Sequence, residues 1–586
     1  MTDLSSQSPS IQTIYGWYRT GRLVVNRAYQ RKLVWTLVER QKLIDSLENK
    51  YPIPLVLLAE VQTKESTVFE IIDGLQRLHS IMSFIENGFA DEKGRYFNVD
   101  EFLTAKDASD KGVFQKAEGV PLLDRGTITR ILDYSLPVSI IKNADSAIIT
   151  DVFGRINTYG HRLSDQEQRQ AGQLTEVARF VRTLSSELRG DVSVEILPLH
   201  NMPEISIDLP KSRAGYSVKA DQVWWVKQGV LRSTDLRDSM DEQLLADWTI
   251  CVADKITERS KEVLDSAFDP SHPDGARVSA SLQAIGQENL GKQLKYCIEV
   301  IGKSVENSPS PTLSRLVFEQ STNNSFATLF VTIAMAVYEL VFKDHLIPAD
   351  YRAISSSVKN INSRMTKERT AIARRQNIDV VKGLIKGGFV AGDISKVVYS
   401  GNRSFDLLNV IRRSKIENSN FETKQGYLSL LDGKSPDENL LQKVNETICA
   451  IANNAIKHDG SVIVGVADKL KDVERIKSIH GIDGKEIDGH YIVGVGREAN
   501  ALNISLERYF QVWRDSISNS KLSDALKADV LSKMSICEIS DFSLLLIPVP
   551  SQNQPSFLDG KLYYRKGDQT CEASAEMAVA IASRFH

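Results

Sequence analysis

Ile71-Ile72-Asp73-Gly74-Leu75-Gln76-Arg77-Leu78-His79-Ser80 is the stretch on which the reading of this chain turns. Residues 67–72 are β-branched and apolar enough for a strand, and Asp73-Gly74 is a turn signal. Leu75, Leu78, Ile81, Met82 and Phe84 then recur at helical spacing until Asn87-Gly88. The expected unit is a buried strand that turns abruptly into a helix. Gln76 and Arg77 fall in its first turn, where unpaired backbone N–H groups favour an anion and an arginine fork matches phosphate oxygens. The plainer reading makes Asp73 a helix cap and Arg77 a solvated first-turn residue.

Around this stretch the pattern continues. Asn26-Arg27-Ala28-Tyr29-Gln30-Arg31-Lys32-Leu33-Val34-Trp35 leads into Thr36-Leu37-Val38-Glu39, which has the form of a capping box. A helix over residues 37–48 follows, with Leu37, Leu43, Ile44 and Leu47 facing a core, and then an apolar strand over 55–58. Farther on, Arg155-Ile156-Asn157-Thr158-Tyr159-Gly160 supplies a polar, φ-permissive loop before a second box, Ser164-Asp165-Gln166-Glu167. The helix that starts there carries Arg169. The chain has no GxxxxGK[ST] segment, so an ordinary P-loop is not available to it.

At 586 residues the chain is too long for one core, and three or four domains are expected. A net charge of -3 gives no global pull toward nucleic acid or anionic lipid, so any polyanion site must be a local patch. Cys251, Cys297, Cys449, Cys537 and Cys571 lack CxxC spacing, which argues against a disulfide framework or zinc ribbon and fits a reducing cytoplasm. The N-terminus has no basic then apolar export pattern. The longest apolar run, residues 326–342, contains Thr328, Thr332 and Glu339 and is expected to be a buried helix rather than a span.

Asn-x-x-Tyr-Gln-Arg-x-x-Val-Trp from Asn26, Ile-Asp-Gly-x-Gln-Arg-Leu from Ile72, and Arg-Ile-Asn-Thr-x-Gly-x-x-Leu-Ser-x-x-Glu-x-Arg from Arg155 together resemble the ParB-like "DGQQR" domain at the N-terminus of GmrSD-type restriction enzymes. The resemblance implies a domain that binds and hydrolyses nucleoside triphosphate and controls a nuclease. Its nucleotide site would be lined by Gln30, Arg31, Asp73, Gly74, Gln76 and Arg77, with Asn157 and Arg169 contributing. Arg31 and Arg77 would hold phosphates, and Asp73 a magnesium ion or water. Leu75 stands where the family usually has its first Gln, which leaves room for binding without hydrolysis.

The middle, residues 186–400, reads as mostly helical. Trp224-Trp225 is either a stacking platform for a base or a pair with one ring in the core and the other partly exposed. Between 351 and 390, Arg352, Lys359, Arg364, Lys367, Arg369, Arg374, Arg375, Lys382 and Lys386 oppose only Glu368 and Asp379. That stripe is either a solvated helix face or a phosphate-backbone track, with Arg374 and Arg375 as nucleic-acid contacts. Gly387-Gly388 and Gly401-Asn402 mark a boundary between about 387 and 402.

In the last part Glu417 precedes Glu422-Thr423-Lys424, and on a strand Glu422 and Lys424 project from one face. A carboxylate beside an ammonium suits phosphodiester chemistry but is far more often a surface ion pair. Ser435-Pro436-Asp437-Glu438 is read as a capping box, followed by a helix with Leu440, Leu441, Val444, Ile448 and Ile451 on one face. An apolar strand from Ser461 ends at Asp468, and apolar runs follow at 491–496 and 543–549, then Tyr563-Tyr564-Arg565-Lys566-Gly567. This order resembles the Schlafen-type AlbA domain. The resemblance implies that Glu417, Glu422 and Asp468 bind Mg2+ or Mn2+ for cleavage of RNA or DNA, with Lys424 beside them and Arg565 contacting phosphate.

The expected architecture is α/β multidomain: a ParB-like α+β domain over 1–185, a helical middle over 186–400 and an AlbA-like α+β domain over 401–586. The expected function is a cytoplasmic bacterial anti-phage effector in which ATP or GTP at the first domain controls a metal-dependent nuclease at the last. The alternatives are a nucleic-acid-binding regulator without cleavage, or DNA cleavage by the N-terminal domain, although no HNH-type constellation is visible. Nucleic acid and nucleotide are the expected partners, with no membrane and a homo-oligomer left open.

Overall fold

The computed structural model divides the chain into two compact units, Met1–Tyr399 and Ser400–His586, both mixed α/β. It describes residues 3–27, 30, 32–62, 67–142, 148–149, 152, 164–170, 175–191, 196–202, 204–206, 217–320, 322–394, 398, 407–411, 419–454, 459–487, 489–539 and 542–585. Arg31, Asn157 and Glu417 lie outside these residues.

The first unit opens with β1 (Asp3–Gln7), α1 (Ile11–Arg19), β2 (Leu23–Asn26), α2 (Leu37–Glu48), β3 (Val56–Gln62), β4 (Thr67–Asp73), α3 (Leu75–Ile85) and β5 (Val138–Lys142). After α4 (Glu176–Arg189) comes β6 (Ile196–Pro198), and the strands form one mixed sheet in the order β1-β5-β3-β4-β2-β6. Alternation along β4 sends Ile71 into the main core and Ile72 into the smaller cluster on the other face, so the strand is covered on both sides. The expected capping box forms at α2: Glu39 N–H donates to Thr36 Oγ1 and Thr36 N–H donates to Glu39 Oε2 at 2.7 Å.

Helix α3 starts differently from the plainer expectation. Its cap is Gly74, at φ +96, and no side chain caps it; Asp73 pairs with Arg77 instead. A Cβ on Gly74 would lie 2.9 Å from Val56 Cγ2, so this turn needs glycine for both its conformation and its close approach to β3. Leu75, Leu78, Ile81, Met82, Phe84 and Ile85 all enter the main core. Each such side chain contributes roughly 1.5–3 kcal/mol on burial against a few tenths for helix propensity, so packing holds α3 without a side-chain cap.

His79, mostly buried on α3, has its imidazole pushed down to about 3 by burial, with the Arg40 charge acting in the same direction. Because the folded value lies below the unfolded one near 6.5, the stability linked to His79 is present above pH 6.5 and is lost as pH falls toward 3. Urea unfolding at pH 7 and pH 5 should show this loss, and His79→Gln should shrink the difference.

The rest of the unit is helical: α5 (Met240–Ala253), α6 (Gln287–Glu306), α7 (Ala327–Tyr338) and α8 (Ala371–Ile385). The expected break at 185/186 does not separate compact units, because α4 runs across it and bonds α5 through Ser185 and Arg189 to Asp241. Trp225 is fully buried, with Trp224 edge-on at 5.2 Å and partly exposed, which favours the core reading of that pair. Helix α7 is buried from Phe330 to Tyr338, and among the described residues no helix is long and apolar enough to cross a membrane.

The second unit contains β7 (Phe421–Lys424), α9 (Glu438–Ala452), β8 (Gly460–Val464), β9 (Val466–Ala467), α10 (Leu470–His480), β10 (Lys485–Ile487), β11 (His490–Ile492), α11 (Leu506–Ser518), α12 (Asp524–Lys533), β12 (Ser535–Ile539), β13 (Phe542–Val549), β14 (Tyr563–Lys566) and β15 (Gln569–Glu572). A four-stranded sheet runs β7-β8-β13-β12, with β7 parallel to β8 at its edge. Val462 and Val464 face the core under α9 and α11, while Ile463 faces the opposite cluster. Gly465, at φ +104, turns β8 into β9, where a Cβ would lie 2.6 Å from Leu544 Cδ2. Helix α9 begins one turn-signal later than expected: Asp437 is its cap, accepting from Leu440 N–H at 3.1 Å, because the Ser435 N–H and hydroxyl are already held by Asp432.

Candidate functional site

The strand-to-helix turn of the first unit gathers Asp73, Gly74, Gln76, Arg77 and Gln30, but they face different ways. Asp73 is half exposed and 2.9 Å from Arg77 Nη2. Arg77 Nη1 is buried with no hydrogen-bond partner among the described residues. An unsatisfied buried donor of this kind costs roughly 1–3 kcal/mol, which an anionic ligand can recover. The glutamines, by contrast, face inward. Gln76 Oε1 accepts from Val34 N–H at 3.0 Å and Trp35 N–H at 3.2 Å, and its Nε2 donates to Lys32 O at 2.7 Å. Gln30 Nε2 donates to Ile71 O at 2.7 Å and Ile72 O at 2.8 Å.

Three expected arginine contacts are committed to internal partners. Arg169 donates through Nε to Asp265 at 2.6 Å and through Nη1 to Gln166 at 3.1 Å, so it is not offered to a nucleotide here. Arg374 is buried in a two-pronged pair with Asp247, both bonds 2.7 Å, and also reaches Thr257 O at 3.0 Å. Arg375 forks onto Glu339 at 2.6 and 3.0 Å and also pairs with Asp379. Three cations of the basic stripe, Arg374, Arg375 and Lys382, are thus paired from within the unit, and Arg374 and Arg375 are not presented to a phosphate track. The charge count along the sequence could not register Asp247 or Glu339, which lie on other helices.

At the edge strand of the second unit, Glu422 is gripped by two cations: Lys424 Nζ on Oε1, and Arg565 Nη2 on Oε2 at 2.9 Å. Arg565, on β14, is itself buried and donates to Thr570 Oγ1 at 3.0 Å and Phe421 O at 3.3 Å. Strand alternation puts Thr423 on the other face of β7, and there its hydroxyl donates to Asp468 Oδ1. His490 Nδ1, on β11, lies 3.1 Å from the same oxygen. Burial pushes the Asp468 carboxyl up, but the hydrogen bonds from His490 and Thr423 and the charges of His490 and Lys424 outweigh it and hold Asp468 below the usual carboxylate range. Thr423 and His490 were not singled out by motif; the alternation of the E-x-K strand points to Thr423, whereas nothing local points to His490.

Residues 11–172 match the family model described as the GmrSD restriction endonuclease, N-terminal domain, and residues 417–574 match the one described as Schlafen, AlbA_2. The chain fuses a GmrSD-type domain to a Schlafen AlbA-type domain. No curated protein matches it. Restriction-endonuclease and Schlafen matches together place the chain in a nuclease-like defence or nucleic-acid-binding role.

The AlbA-type match brings with it the question of a divalent ion. Oxygen donors suit Mg2+ or Mn2+ in kind, but both Glu422 oxygens already hold cations, and Asp468 is approached from the opposite face of β7. Among the described residues no three His, Cys, Asp or Glu side chains come together, and Glu417 is not among them. The described residues therefore do not by themselves form an ion site. What they do form is an edge at which Lys424 is the cation open to a phosphate oxygen, while Arg565, 1% exposed, is held inside by Glu422, Thr570 and Phe421.

Proposed function

We propose that the chain is an anti-phage effector in which nucleoside triphosphate at the GmrSD-type domain controls an AlbA-type unit that cleaves RNA or DNA, with Mg2+ or Mn2+ as its cofactor. The carrying observation is the Lys424–Glu422–Arg565 cluster on edge strand β7, whose Lys424 charge also acts on Asp468, in the domain matched to Schlafen AlbA_2. Lys424 would orient the phosphodiester, with Arg565 holding Glu422 from behind, and the acids would serve its cleavage. In the first unit, Arg77 Nη1, without a hydrogen-bond partner among the described residues and beside half-exposed Asp73, supports phosphate recognition.

A second reading, nucleic-acid binding without cleavage, is favoured by the double cation grip on Glu422 and by the separation of Glu422 and Asp468 onto two faces of β7. One experiment divides the two. Wild type, Glu422→Gln and Asp468→Asn are incubated with tRNA, single-stranded DNA and plasmid, with Mg2+, Mn2+ or EDTA and with ATP or GTP. Metal-dependent cleavage lost in both variants is the expected result; retained binding with no cleavage in any mixture selects the second reading.

A further inference from the structure

The two glutamines of the nucleotide turn do not spend their amides on a ligand. Gln76 is 6% exposed and Gln30 8%, and the carbonyl and amide of Gln76 are both taken by backbone groups between Lys32 and Trp35. A glutamine in this state cannot contact a nucleotide without releasing that segment. What it does is fix the segment to the first turn of α3, one residue from Arg77.

The same segment is fixed at its other side. Lys32 Nζ is buried and reaches Leu236 O at 3.2 Å, Ser239 Oγ at 3.1 Å, Asp241 Oδ1 at 3.2 Å and Glu242 Oε1 at 3.1 Å. Asp241 and Glu242 are in the first turn of α5, where Arg189 from α4 also grips both acids. Glu39, on α2, is joined to Arg237 in the same neighbourhood by bonds of 2.9 and 3.0 Å. Thus the carbonyl of Lys32 is held by the nucleotide turn and its ammonium by the helical half of the same unit.

We propose that Gln76 and Gln30 are positioning residues, and that Lys32 is the tie through which occupancy of the Asp73–Arg77 turn is transmitted to α5. The inference rests on the nucleotide reading of that turn. A ligand that draws Arg77 away from Asp73 moves the first turn of α3, and Gln76 moves with it. Its three bonds are directional and buried, so the 32–35 segment either follows or loses them. If it follows, Lys32 pulls on Asp241 and Glu242, and the response appears at the start of α5 rather than only around the ligand.

The test uses the full chain. Calorimetric titration with ATP and GTP, on wild type and Arg77→Ala, establishes binding at the turn; hydrogen exchange then follows residues 67–85 and 240–253. In wild type, saturating nucleotide should change exchange in both segments, by about threefold or more. In Lys32→Met the nucleotide should still bind and change residues 67–85, while the change at 240–253 disappears. Should that variant not fold, Gln76→Met, which removes all three bonds to residues 32–35, cuts the tie from the other end. Binding to wild type with no response at 240–253, or an equal response in the Lys32 variant, overturns the proposal. If neither nucleotide binds, the reading of the turn fails, and the tie is judged without ligand: faster exchange at 240–253 in Gln76→Met sustains it, and unchanged exchange overturns it.

Discussion

Arg189→Met is expected to lower the stability of the first unit by about 3–5 kcal/mol, the cost of removing one partner from a buried charge cluster. Arg189 is 1% exposed and pairs with Asp241, which is wholly buried, and with Glu242, 4% exposed. Burial pushes both acids up, but the charges of Arg189 and Lys32 hold Asp241 and Glu242 below the usual carboxylate range. Without Arg189, two carboxylates share the single charge of Lys32, and their mutual repulsion is no longer offset. The magnitude is read from the urea midpoint of the variant against wild type. Arg277→Ala, whose partners Asp254 and Asp274 meet it at an open surface, is the control and should leave the midpoint unmoved.

The sign of the pH dependence follows from the same depression. Folded values below the unfolded ones mean that the cluster stabilises above about pH 4 and loses its contribution as pH falls through the lower folded values. Arg189→Met should therefore flatten the acid limb of the stability curve while leaving the His79 contribution, which sets in nearer pH 6, in place. A variant with an unchanged midpoint and an unchanged acid limb would mean that the cluster is a passenger of the fold.

Much of this architecture is legible in the sequence because apolar period and cap chemistry are local. The strand and helix around Asp73-Gly74, the box at Thr36 and Glu39, and the box at Ser164 and Glu167, with bonds of 3.2 and 2.9 Å, all depend on neighbours within four residues. The side-chain roles depend on partners far along the chain. Arg374 and Asp247 are 127 residues apart, and Lys32 and Asp241 are 209 apart. A basic run therefore read as a candidate surface track although its most buried arginine closes a core. Gln30 and Gln76 stood in the right place for a ligand, and only the directions of their amides show that they bind backbone. Asp73 was expected either to cap α3 or to serve phosphate chemistry, and the left-handed Gly74 leaves it free of the first task.

The other large effect is expected at Glu422 and Arg565, where a role as counter-ion and a proposed role as metal ligand would make opposite demands on one carboxylate. Arg565 is 1% exposed and Glu422 18% exposed, so Glu422→Gln leaves a buried guanidinium beside Lys424 with no opposing charge and should cost about 2–4 kcal/mol. Arg565→Met leaves Glu422 paired with Lys424 and should cost about 1–2 kcal/mol, chiefly through its lost bonds to Phe421 O and Thr570. The double variant should then be more stable than Glu422→Gln alone, since removing the guanidinium removes the uncompensated charge. Titration with Mn2+ separates this structural role from a catalytic one. If Glu422 holds an ion during cleavage, Arg565→Met keeps or strengthens Mn2+ binding and Glu422→Gln abolishes it at equal folded fraction. If Glu422 serves only to neutralise Arg565, both variants bind Mn2+ as wild type does, and the double variant recovers stability. The second outcome would move the chain from cleavage to recognition, because the carboxylate most exposed to a bound phosphate would be Asp468 alone, already held by Thr423 and His490.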